Sequence, residues 1–173
     1  MNIKAIDEFI EARATRQDRS QMQELTELAY ATVFEALRLE WGADDASSEN
    51  ERRHCTARAG VGADYLFGRE PDSRATALDL GREQEAVRNW LKRDAPMCEL
   101  VLETLRVYNA LTEHRPPSTG PIGEGLLMAY GQGSFRTPDL ATYDTLVHRA
   151  LYRLPLHAQQ RILYRLGKTQ SCH

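Results

Sequence analysis

A chain of 173 residues with 42% apolar and 27% charged side chains has the size and balance of one globular domain, without the composition of a disordered or fibrous protein. No apolar run approaches the ~20 residues that a spanning helix needs. The N-terminus sets Asp7, Glu8 and Glu11 among its apolar positions, and Cys55, Cys98 and Cys172 are too scattered for a disulfide framework. A cytoplasmic protein with no membrane contact and no cofactor is therefore expected. The formal net charge of −3 divides unevenly, −7 over residues 1–114 and +4 over 115–173. That split predicts either an acidic partner for the C-terminal part or contact between the two halves.

Strand signals are scarce and helical spacing recurs along the chain, so the expected fold is all-α, a compact bundle of about six or seven helices. Ile3, Ile6 and Ile10 predict a first helix to about Thr15. A second is expected to start near Asp18 or Ser20, where Ser20 and Gln23 have capping-box spacing, and to run to Trp41, stopped by Gly42. Ser48 with Glu51 predicts the start of a third, ending near Phe67 and Gly68, with an inward stripe of Cys55, Ala59, Gly62 and Leu66. Asp94 is the expected cap of a helix that takes Pro96 in its first turn and buries Leu100, Val101, Leu105, Tyr108 and Leu111. The stretch 115–123 is rich in proline and glycine and reads as a linker between a main domain, 1–114, and a basic helical subdomain, 124–173. Helices on its two sides either form separate units or share one core. A short helix is expected from Glu124 to Tyr130. Another should begin at Thr137 and Pro138, be interrupted at Pro155, and end before Gly167.

The most specific motif lies between Ala75 and Arg93. Ala77 and Gly81 are four apart, and Leu80, Val87, Trp90 and Leu91 supply apolar positions around them. This spacing resembles the helix-turn-helix of small bacterial and phage repressors, in which a small residue sits at the helix crossing and a glycine relieves the left-handed turn. The resemblance implies a supporting helix at Thr76 to Leu80, a recognition helix at Gln84 to Arg93, and duplex DNA as partner. Arg88 and Asn89 would then read base edges, while Arg74, Arg82, Lys92 and Arg93 would face phosphates or bases. The competing reading is one continuous helix from about Ala75 to Asp94.

The run from Arg149 to Leu163, RALYRLPLHAQQRIL, is similar to the first part of the promoter-binding region of sigma-like transcription factors. Independently of that resemblance, Arg149 with Arg153 and Arg161 with Arg165 are pairs four apart, a basic ridge suited to an acidic partner or to plain solvation. Glu51 with His54 has the spacing of one half of a di-metal site, without a second copy. No phosphate-binding loop, nucleophile elbow or dinucleotide fingerprint occurs. The leading expectation is thus a non-catalytic regulator acting on DNA or with the transcription machinery, with homodimerisation compatible. A helical protein-interaction module is the alternative, and a metal-dependent enzyme the remote third.

Overall fold

Every hydrogen-bonded element in the computed structural model, which describes residues 3–71, 77–112 and 139–167 with side chains from Ser20 onward, is helical. Among the described residues six α-helices follow one another: α1 (Ile3–Glu40), α2 (Glu49–Phe67), α3 (Leu80–Leu91), α4 (Pro96–Thr112), α5 (Leu140–Arg153) and α6 (Leu156–Arg165), with a 3-10 turn at Ala43–Asp45. The all-α bundle is as the sequence predicts. Residues 115–123, the helix expected at Glu124 to Tyr130, Thr137, Pro138 and Cys172 lie outside the described residues.

Several boundaries differ from expectation, each for a local reason. The first two expected helices are one, α1. No glycine or proline occurs before Gly42, and good helix formers such as Arg16, Gln17, Arg19 and Gln21 carry the ladder past Ser20. The stop at Gly42 is as predicted, with a left-handed φ of 79°. Ser48 caps α2 by accepting from the Glu51 amide at 3.1 Å, while the Glu51 carboxylate turns back one residue further, to the Ser47 amide at 2.9 Å and hydroxyl at 2.7 Å. Helix α4 starts with Pro96 at its first position, so Ala95 rather than Asp94 stands where a cap would be. Asp139, not Thr137, caps α5 by accepting from the Thr142 amide at 2.7 Å. Leu154 and Pro155 make the corner between α5 and α6 as the sequence predicts, because proline cannot donate into the continuing ladder.

Side chains from both sides of residues 113–138 belong to one hydrophobic cluster. Leu28, Val33 and Leu37 of α1 meet Ala59, Ala63 and Leu66 of α2, Val87 and Trp90 of α3, Val101 and Leu105 of α4, Tyr143 and Val147 of α5, and Ala158 and Ile162 of α6. A chain of aromatic rings threads four of these helices. Tyr30 lies edge-on to Phe67 at 5.7 Å, Phe67 is 5.2 Å from Tyr108, and Tyr108 is 6.5 Å from Tyr143.

The small stripe on α2 sets how near α1 and α3 come. A β-carbon on Gly62 would stand 2.6 Å from Val87 Cγ2 and 2.9 Å from Leu37 Cδ1, and both of those side chains are fully buried with nowhere to retreat. At Gly60 the nearest atom would be Phe34 Cε2 at 3.9 Å. The two positions should respond with opposite signs. Gly62→Ala is expected to destabilise by about 1–2 kcal/mol, overpacking outweighing the gain in helix propensity. Gly60→Ala should stabilise by about 0.5–1 kcal/mol, since only the propensity gain applies. Urea melts of the two variants check the pair; a stabilised Gly62→Ala would refute the close-approach account.

Candidate functional site

Helix α3 runs straight through Gly81. Asp79 is extended and caps the helix, its carboxylate accepting from the Arg82 amide at 3.3 Å, which leaves Gly81 in the first turn without a positive φ. The bend expected at Gly81 is therefore absent, and so is a helix reaching Leu80 from upstream. The alternative of one helix from Ala75 is corrected in the same way, because the cap falls at Asp79. Burial of Val87, Trp90 and Leu91 follows the predicted inward face.

Two of the residues expected to contact DNA, Arg88 and Arg93, are engaged elsewhere. Arg74 lies outside the described residues. Arg82, Asn89 and Lys92 are exposed. Arg88 donates to the Tyr65 hydroxyl at 3.0 Å, half-buried against that ring, and Arg93 is ion-paired with Glu40. Glu83 is buried and accepts from Arg58 at 2.7 Å, and the Arg58 guanidinium lies 4.5 Å over the Trp41 ring.

The C-terminal arginines divide into two that are fastened and two that are not. Arg161 reaches Glu35 at 2.8 Å and Asp44 at 3.0 Å, and Arg38 approaches the same Glu35 at 3.2 Å. Arg165 lies against α1, its guanidinium 5.0 Å from the Phe34 ring and 5.5 Å from Tyr30. Arg149 and Arg153 are exposed on α5, with no ion pair among the described residues. Contact between the acidic and basic halves thus accounts for Arg161, as the charge split allowed.

Asp44 gives this contact a pH dependence. Partial burial pushes its carboxyl up, but hydrogen bonds from His157 and Arg161, with the Arg38 charge beyond, outweigh that and hold it below the ordinary carboxylate range. A carboxyl depressed on folding contributes stability that is fully present above its unfolded value, about pH 4, and is lost as pH falls through the lower folded value. Asp44→Asn is expected to flatten the acid limb of the stability profile between about pH 5 and pH 2. Denaturant melts across that range decide it; an unaltered acid limb would contradict the assignment.

Helices α5 and α6 leave three large apolar side chains exposed, which the sequence reading missed. Tyr152 is 68% exposed, Leu156 68% and Tyr164 77%. Arg149, Tyr152 and Arg153 share the outward stripe of α5, by their spacing of three and four. Leu156, exposed Gln160 and Tyr164 continue on α6 at spacings of four. The available signal was the failure of these positions to fit the inward stripe of Tyr143, Val147, Ala150 and Leu151 on α5 and Ala158 and Ile162 on α6.

Among the described residues, no three His, Cys, Asp or Glu side chains stand where they could share a metal ion. Glu51, half of the Glu-x-x-His spacing, is occupied by Ser47, and His148 is 3.0 Å from the Asp144 carboxylate. No described helix is long and apolar enough to cross a membrane. No family model, curated protein or solved structure matches this chain.

Proposed function

We propose that the protein is a non-catalytic helical interaction module that docks an acidic, apolar-bearing segment of a partner protein on the outer face of α5 and α6. The observation that carries this reading is the exposure, on these two consecutive helices, of Tyr152, Leu156 and Tyr164 together with Arg149 and Arg153, whose charges no described side chain neutralises. Large apolar side chains left in water beside unpaired arginines have the composition of a binding hot spot, where tyrosine and arginine are enriched. Duplex DNA is the less favoured partner. Phosphate binding draws on many free cations, and two of those expected on α3, Arg88 and Arg93, are engaged within the fold. The helix, Leu-Pro corner and helix of residues 140–165 keep DNA as the second reading.

Capture from nuclease-treated cell extract, compared between the wild type and two double variants, tests the proposal. A partner protein held by the wild type should be lost with Tyr152→Ala/Tyr164→Ala and weakened, in a salt-dependent way, with Arg149→Glu/Arg153→Glu. A partner that both variants retain would reject the face. Salt-dependent duplex binding abolished by the arginine pair would transfer it to DNA, and self-association abolished by the tyrosine pair would transfer it to a second copy of the chain.

A further inference from the structure

A second concave surface, of about 980 Å3, lies between α1 and α2 on a part of the molecule that the docking proposal does not use. Its size falls within the range of small-molecule sites. Tyr30 and Phe34 form the α1 wall, Ala57, Gly60 and Val61 the α2 wall, and Arg165 reaches in from the end of α6. Arg52 and Arg53 stand at the rim, both already paired with Glu49, and Arg69 at the other end is paired with Glu27 at 2.8 Å.

Two features have no structural explanation in the packing. The first is Arg165. Its guanidinium lies 5.0 Å from the Phe34 ring and 5.5 Å from Tyr30, whose ring also carries Arg69 at 4.1 Å, yet it has no carboxylate partner among the described residues. A stacked guanidinium keeps its forked N–H groups available for an anion. The second is Gly60. A glycine inside a helix costs about 1 kcal/mol relative to alanine, and unlike Gly62 it is not required by a close neighbour, since only Phe34 comes within 4 Å of a β-carbon there. What its missing side chain keeps open is the floor of the cleft. The Tyr30 hydroxyl donates to Asp64 at 2.5 Å deeper in, and burial together with that bond pushes the phenol up, so that it remains a neutral donor.

From these we infer that the cleft binds a small aromatic anion, its carboxylate or phosphate held by the Arg165 fork and its ring lying in the cleft between the α1 and α2 walls. The site is separate from the outer α5–α6 face and stands or falls independently of it.

Titration of the full chain with phenyl phosphate and with benzoate, followed by amide NMR, tests this, with inorganic phosphate and benzyl alcohol as the anion-only and ring-only probes. Both aromatic anions should shift the amides around Phe34 and Gly60, and each single-feature probe should bind at least about tenfold more weakly, benzyl alcohol by losing the charge-assisted contact and inorganic phosphate by losing the buried ring. Arg165→Gln, with folding checked by its amide spectrum, should reduce affinity about tenfold. Gly60→Leu should abolish binding by filling the floor, and Gly60→Ala should weaken binding while raising the melting temperature. Inorganic phosphate binding as well as phenyl phosphate, an Arg165→Gln variant of unchanged affinity, or no shifts at millimolar ligand would each overturn the inference.

Discussion

Glu35→Ala is expected to lower the unfolding free energy by about 3 kcal/mol, a cost set by the charges it would strand. Glu35 sits on the inner side of α1 with 8% of its side chain exposed and receives Arg38 and Arg161 together. Removing it leaves Arg38, 11% exposed, with Asp44 at 3.9 Å as its remaining carboxylate and the Thr56 hydroxyl accepting from its Nε at 3.2 Å. Breaking one partner of a buried ionic cluster typically costs more than the cluster contributed, because desolvation has already been incurred by the survivor. Arg161 is more open to water and keeps Asp44, which places the estimate at the lower end of the usual range. The double variant Glu35→Met/Arg161→Leu, apolar on both sides, should recover much of the loss. Urea melts of the single and double variants check this; a single variant within about 0.5 kcal/mol of the wild type would mean that the cluster is solvent-bridged rather than closed.

Tyr143→Ala should be the more damaging change, about 4 kcal/mol, with α5 and α6 loosened from the rest. Tyr143 has no exposed surface, ends the ring chain that begins at Tyr30, and pairs its hydroxyl with Thr26 at 3.1 Å. Truncation removes the whole ring from a site walled by three helices, whose backbones cannot collapse into the void. Tyr143→Phe isolates the polar part and should cost only about 1 kcal/mol, one hydrogen bond. Hydrogen exchange should show lost protection concentrated at 140–165 in the alanine variant. Uniform loss over all six helices would mean instead that the molecule unfolds as one cooperative unit.

The all-helical architecture was legible because helical spacing and capping are local properties. Ser48 with Glu51, Gly42 and Pro155 each act within a turn of where they stand. The reading failed at Gly81 for a related reason. A glycine signals a turn only when nothing upstream offers a cap, and Asp79 does so, converting the glycine into an inexpensive first-turn residue.

Surface chemistry was less legible, since spacing says which side chains share a face but not what lies opposite. Arg149, Arg153, Arg161 and Arg165 read as one ridge, yet two of them are turned to α1, and Glu35, which receives Arg161, is 126 residues away in sequence. A usable signal existed: Glu35 stands beside Val33, Ala36 and Leu37, and Asp64 within the apolar run from Val61 to Phe67, so each is an ionisable group in a buried stretch that demands a partner. Tyr30, Phe34 and Gly60 carried no such mark, because their shared cleft exists only after α1 and α2 have met.

The fastening of Glu35 by Arg161 and of Thr26 by Tyr143 joins the beginning of the chain to its end. During ribosomal synthesis α1 emerges long before either counterpart, and at about 5–20 residues per second the delay is roughly 6 to 25 s. Over that interval a carboxylate and an apolar face destined for the interior remain wet. Nascent chains halted before α5 should therefore be the species most prone to chaperone capture and aggregation.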